Sequence, residues 1–336
     1  MSDVPEPPPN GRLAVTPGLL AAIAGRITAR DRWLLAMLHE HRVLTTTHIT
    51  QLAFGTSRAA TARMLTLHRY QLADRFRPLA PVGTAPWHFV LGPAGAHVLA
   101  AQYALAPGQL GYRRDRALAV ALSPRLGHDT GASGFFTTLA ASARSTGNAR
   151  LACWWSEQRC AALWGDLARP DGYGRWQEHG AAGSAGTDFF LEYDTGAEDL
   201  PRLVSKLAGY QALAARTGIT TPVLFWLPSP RREAALHARL PASQAGDLVP
   251  VFTATPATVG PAGPAWLPAG QPGLRLHLAR LAAALRPSAA QTAVPLAWPP
   301  ARAAAPAGLP WHPPDPVPPP APGNRLARHG ARPPAC

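Results

Sequence analysis

Three short segments decide the fold: RLACWWSEQ (150–158), GDLARPDGYGRW (165–176) and TDFFLEYDT (187–195). Each is rich in aromatic or aliphatic residues, and each carries a carboxylate at one end. Apolar runs this short read as buried strands rather than helices. Upstream, HDTGASGFFTTLAASARS (128–145) has the spacing of an amphipathic helix. Downstream, DLPRLVSKLAGYQALAART (199–217) places Leu200, Leu203, Leu207, Tyr210 and Leu213 on one helical stripe. TPVLFWLPS (221–229) follows as a buried strand, PSPRREAALHARL (228–240) as a helix and LVPVFTAT (248–255) as a last strand. The order is helix, three strands, helix, strand, helix, strand. It predicts a mixed α/β layer over 118–256, because a buried strand after a crossover helix needs cover on both faces.

A different pattern precedes it. DRWLLAMLHEHR (31–42) puts Trp33, Leu34, Met37 and Leu38 on one stripe. TTTHITQLAF (45–54) opens with threonine caps, and SRAATARMLTLHRY (57–70) starts a third helix. LADRFRPL (72–79) and WHFVL (87–91) flank a Pro/Gly turn and read as a hairpin, and GPAGAHVLAAQ (92–102) closes the block as a helix. This order predicts a winged helix-turn-helix over 25–105. His39-Glu40-His41 lacks the HExxH spacing and reads as surface, while Cys153, Trp154 and Trp155 read as core.

Length and composition set the outer limits. The 336 residues include 32 basic against 19 acidic side chains, a formal net charge of +13 with a pI near 11.0. Such a balance points to a polyanion, nucleic acid before a membrane surface. Lys206 is the only lysine; every other basic side chain in that count is an arginine, a bias that G+C-rich coding also produces. Three cysteines, without paired CxxC spacing, give neither a disulfide framework nor a zinc site. No continuous apolar segment reads as a signal peptide or a membrane span, so a cytoplasmic, nucleoid- or plasmid-associated protein is expected. Neither a Walker nor a dinucleotide motif is present, which disfavours an ATP-driven initiator. Residues 1–24 read as a disordered leader and 257–336 as a Pro/Ala-rich, largely disordered tail; 15 of the 38 prolines fall in the last 50 residues.

Two constellations carry chemistry. Over 25–102 nine arginines face three acidic residues. Arg58, Arg63, His68 and Arg69 lie on the third helix, and Arg75 and Arg77 alternate along the first hairpin strand, so they share a face. These six are the candidate contacts to double-stranded DNA, with a purely solvated arginine face as the alternative. The second constellation is acidic: Glu157, Asp171, Glu192 and Asp194 stand at the strand ends, and alternation puts Glu192 and Asp194 on one face. Converging carboxylates make an oxygen-ligand site for Mg2+ or Mn2+, with Asp171, Glu192 and Asp194 as the expected ligands. Lys206 follows on the next helix, where its ammonium can reach the same pocket and stabilise charge on a phosphodiester.

Pro170-Asp171 with Glu192-x-Asp194 on an αβββαβ order resembles the restriction-endonuclease-like PD-(D/E)xK superfamily. Asp194 stands where that pattern has its lysine, and Lys206 is the candidate for a migrated lysine. Further segments, ITARDRWLLAMLHEHRVLTTTHITQLAFG, HRYQLADRFRP, PWHFVLGPAGAHVLA, WWSE, RPDGYG, FFLEYDTGAE and KLAGY, make the chain over roughly 25–255 similar to the replication-relaxation family of actinobacterial plasmids and integrated elements. The resemblance implies a DNA-transaction protein: a winged helix joined to a nuclease-like domain, with Glu157, Asp171, Glu192, Asp194 and Lys206 in the catalytic roles. Replication proteins of the same element and a second copy of the chain are further candidate partners. The other reading is a non-catalytic DNA-binding adaptor or transcriptional regulator with a degenerate nuclease-like domain.

Overall fold

The computed structural model describes residues 15–80, 82–180, 183–240, 248–257, 259–271, 273–284 and 316. They divide into two units, the first ending at Ser123 and the second beginning at Pro124.

Threonines punctuate the first unit. Thr16, Thr28, Thr45 and Thr56 each hold an extended backbone, and each side chain accepts a main-chain N–H of the following turn. They start α1 (Pro17–Ala24), α2 (Ala29–His41), α3 (Thr46–Ala53) and α4 (Ser57–Arg69), a cap of this kind contributing about 1 kcal/mol. The cap of α4 is thus Thr56, and Ser57, the first residue of the segment read as this helix, lies inside it. Strands β1 (Leu44–Thr45), β2 (Ala73–Phe76) and β3 (His88–Leu91) form an antiparallel sheet in the order β1-β3-β2. The short β1 was not legible in the sequence. Helices α5 (Pro93–Gln102) and α6 (Arg114–Ala119) complete the unit.

Two expectations fail here. Part of the expected leader is α1, because Thr16 caps it, Pro17 occupies its first turn and Ile23 is buried. The surface reading of His39-Glu40-His41 also fails, since Glu40 and His41 are buried. Helix α2 is covered around most of its girth, with every residue from Trp33 to Leu38 buried, so few of its positions meet solvent.

The second unit is one seven-stranded sheet with helices on both faces. Its elements are α7 (Leu126–Thr146), β4 (Ala149–Ser156), α8 (Glu157–Trp164), β5 (Gly172–Gly180), β6 (Gly183–Tyr193), α9 (Leu200–Thr217), β7 (Val223–Trp226), α10 (Pro230–His237), β8 (Val251–Ala254), β9 (Pro264–Pro268), β10 (Leu276–His277) and α11 (Leu281–Ala284). The sheet order is β10-β9-β8-β7-β6-β5-β4, with β6-β7-β8 parallel and the remaining pairs antiparallel. Adjacent aromatics sort to opposite faces, as strand alternation requires. Phe135 and Phe136 of α7 pack with Trp154, Phe189, Trp226 and Trp266. Trp155, Tyr173, Phe190 and Phe225 pack on the other face with Leu203, Tyr210 and Leu236 of α9 and α10.

Two elements exceed the sequence reading. Helix α8 is only two turns long and starts where β4 stops, on the Ser156 cap; it buries Cys160 and Trp164, and the sequence reading places no helix there. Strands β9 and β10 lie in the stretch expected to be tail. Pro264 and Pro268 stand at the ends of β9, where a missing N–H is tolerated, and Trp266 between them is fully buried. The proline-rich remainder of the expected tail lies outside the described residues, apart from Pro316. Among the described residues no helix is long and apolar enough to cross a membrane.

Candidate functional site

Strand register assembles the acidic site. Ser156, Gly172 and Leu191 stand side by side across β4, β5 and β6. One step outward the chain places Glu157, Asp171 and Glu192 in the next row. Three of the four expected carboxylates therefore share one end of the sheet.

Asp171 leads into β5, and its Oδ2 accepts the Tyr193 N–H at 2.8 Å. The His128 imidazole, from the first turn of α7, lies with Nε2 3.1 Å from the same oxygen. The Tyr193 ring packs so closely on α7 that a Cβ at Gly131 would lie 2.4 Å from it, so glycine is required there. Arg125 spans the group: its Nη2 donates to Glu157 at 2.9 Å and lies 3.8 Å from Asp171 Oδ1, while its Nε lies 3.7 Å from Asp129. Burial works against a charged His128. The hydrogen bonds to Asp129 and Asp171 more than offset it, and the pKa is pushed up to about 10. Burial raises the Glu157 carboxyl, partly offset by Arg125.

Glu192 is 2% exposed, on β6. Its Oε2 accepts Lys206 Nζ at 2.9 Å, and its Oε1 accepts the Tyr210 hydroxyl. Lys206 and Tyr210 are one helical turn apart on α9, so a single face of that helix delivers both. Burial first, then the Asp171 charge, push the Glu192 carboxyl up to about 7 against the pull of Lys206 and Tyr210. Lys206 Nζ also reaches Glu198 at 3.0 Å. Burial opposes its charge, but Glu192, Asp171 and Glu198 hold its pKa above the ordinary lysine value.

Asp194 behaves differently. Glu192 and Asp194 both turn toward the face covered by α9 and α10, as alternation requires, but α10 takes Asp194. Its Oδ2 accepts Arg232 Nε, and its Oδ1 accepts Arg232 Nη2 at 3.1 Å and the Gly196 N–H at 2.8 Å. The expected three-carboxylate shell of Asp171, Glu192 and Asp194 does not form. Among the described residues no three Asp, Glu, His or Cys side chains converge as a metal-holding set. What remains is the pair Asp171 and Glu192. Two carboxylates are the ligand type that Mg2+ or Mn2+ takes when it keeps water and binds a phosphate.

The basic constellation of the first unit also divides. Arg63 donates Nε to Asp31 at 2.8 Å and Nη2 to the Arg26 carbonyl at 3.0 Å, while Asp31 is fully buried in the α2 capping box. Arg63 is thus an internal strut. His68 Nδ1 lies 3.0 Å from the Ala73 carbonyl, at the turn into β2. Arg58 and Arg69 are exposed at opposite ends of α4. Arg75 and Arg77 lie over the Trp87 ring at 4.1 and 4.2 Å. None of these last four carries an ion pair among the described residues.

The family model for replication-relaxation proteins matches residues 35–224, more than half of the chain. The chain belongs to the replication-relaxation family. The matched span runs from α2 into β7 and includes Glu157, Asp171, Glu192, Asp194 and Lys206. Membership suggests a role in replication or relaxation of plasmid or mobile-element DNA. The chain matches no curated protein and no solved structure. In this replication-relaxation protein, sequence reasoning missed Arg125, His128, Glu198 and Tyr210. Only Tyr210 had a usable signal, the one-turn spacing from Lys206. The others come from a helix start and a loop, where no periodicity marks a direction.

Proposed function

We propose that this replication-relaxation protein binds duplex DNA through its first unit, a winged helix, and acts on phosphodiesters through a restriction-endonuclease-like second unit. The observation that carries this reading is Lys206: the sole lysine of the chain, 2.9 Å from Glu192 in the row that also holds Asp171. Asp171 and Glu192 are the residues that would hold Mg2+ or Mn2+; Asp194 is not among them. A divalent cation there supplies an activated water and neutralises phosphate charge. Lys206 keeps a fixed positive charge beside the carboxylates, where developing negative charge on a phosphoryl oxygen would meet it. Arg125 and His128 orient Asp171 and add cationic surface next to it. In the first unit, Arg58 and Arg69 of α4 and Arg75 and Arg77 of β2 and the turn after it are the phosphate and base contacts.

A second reading has its own support. Glu192 already carries Lys206, and Asp171 already has His128 and Arg125 beside it, so the cluster is neutralised by protein cations alone. A DNA-binding adaptor with a retained but inert pocket would be built the same way. Supercoiled plasmid incubated with the full chain and Mg2+ or Mn2+ separates the two. The nuclease reading expects open-circular or linear product that disappears in Asp171→Ala and in Lys206→Ala while plasmid binding persists. Intact plasmid with every preparation that still binds DNA would leave the adaptor.

A further inference from the structure

The connection between β2 and β3 exposes two large aliphatic side chains. Leu79 is 102% and Val82 90% exposed, three residues apart and just before Gly83, whose φ of +70° turns the chain back toward β3. Covering an aliphatic side chain of this size is favourable, so a protein gains by leaving two here only where something covers them. Their surroundings say what. Arg75 and Arg77 stand at the base of the same connection, both over the Trp87 ring, and neither has a carboxylate partner among the described residues. A guanidinium seated over an indole ring is held in place while its N–H groups can still meet phosphate oxygens. An apolar tip on a cationic base complements duplex DNA: phosphates outside, base faces inside. An acidic or purely apolar protein partner would match only one half of it.

We propose that this tip is a wedge, with Leu79 and Val82 entering between stacked base pairs from the minor groove while Arg75 and Arg77 hold the flanking phosphates. Apolar wedges of this kind partly unstack a base step and kink the duplex. The inference rests on the DNA-binding reading above and adds to it a deformation of the helix. Local unstacking would also give a protein of this family a means of altering plasmid twist that needs no bond cleavage.

The test uses closed-circular plasmid, the full chain, chelator to silence divalent-cation chemistry, and a metal-independent topoisomerase to relax the DNA around the bound protein. At saturation the native chain should shift the topoisomer distribution. The Leu79→Ser/Val82→Ser double variant should bind roughly tenfold more weakly with the same salt dependence and, once saturated, leave the distribution unshifted. Arg75→Ala/Arg77→Ala should instead lower the salt slope by about two. Bound native protein with no topoisomer shift, or an equal shift by the double variant, would overturn the wedge and leave DNA binding standing. Failure of the native chain to bind plasmid at all would overturn both.

Discussion

In the first unit each carboxylate with a described ion pair takes one cation and leaves the other arginines outside. Asp31 takes Arg63, and Asp74 takes Arg114, while Arg58, Arg69, Arg75 and Arg77 carry no ion pair among the described residues. In the second unit the arrangement is reversed. Cations gather on shared carboxylates: Lys206 contacts two, and the exposed Arg125 lies against three. The first pattern frees charge for a polyanionic partner. The second collects charge at one end of a sheet, where only a compensated cluster can stay dry. The same residue types therefore serve opposite purposes, and burial decides which.

The sharpest way to break this comparison is Lys206→Ala. It would leave Glu192 nearly fully buried with only the Tyr210 hydroxyl as a partner, a loss of about 3–5 kcal/mol at pH 8. The sign of the pH effect follows from the carboxyl. A carboxyl raised to about 7 in the fold contributes stability below its unfolded value and loses it as pH rises through the folded one. The defect should shrink at pH 5, where Glu192 is protonated. Denaturant midpoints at both pH values check it, and an equal loss at pH 5 and 8 would mean that Lys206 does not compensate Glu192.

Arg63→Ala comes next. It strands Asp31, whose carboxyl the Arg63 and Thr28 hydrogen bonds hold low against the opposing effect of burial. A loss of about 2–4 kcal/mol is expected, less than a fully buried pair would give because the Arg63 side chain is 29% exposed. Arg58→Ala should do the converse, changing stability by less than about 0.5 kcal/mol while lowering the salt slope of DNA binding by about one. If Arg63→Ala left the melting temperature unchanged and weakened only DNA binding, the strut would be a surface contact after all.

These two arginines also show where sequence stops being informative. Arg58 and Arg63 lie on the same helix with equal claims as DNA contacts, and no periodicity separates them. The difference is Asp31, 32 positions away, buried by its place in the α2 capping box. The succession α7, β4, β5, β6, α9, β7, α10 and β8 was legible, as was the placing of Glu157, Asp171 and Glu192 at strand ends, because local alternation and short apolar runs encode them. The fate of Asp194 was not. Alternation assigned the correct face, but that face belongs to two helices, and the choice between α9 and α10 is made by Arg232, from a segment the motif does not include. Similarly, β9 was hidden because its prolines mark a tail, while the burial of Trp266 depends on α7 and β7.

The smallest effect concerns His128, and it separates a cation that holds the site together from one that only lies near it. With a pKa raised from 6.5 to about 10, the imidazolium should contribute stability that is full below pH 6.5 and lost as pH rises through 10. Glu192, raised to about 7, titrates at the lower edge of that window, so the comparison runs from pH 8 upward. His48, His88 and His237 are pushed down by burial and titrate below it, and the Tyr193 phenol facing His128 is pushed up above it. The Arg125 charge works against the His128 proton, while Asp129 and Asp171 favour it. The side chain is 22% exposed, so the contribution should be of order 1–2 kcal/mol, less than a shift of this size would give in a dry site. His128→Gln keeps a donor for Asp171 but cannot titrate. Urea midpoints of the native chain should therefore fall between pH 8 and 10 while those of the variant stay level. Parallel curves would show that the pair with Asp171 does not hold the proton and that His128 only lies near the cluster.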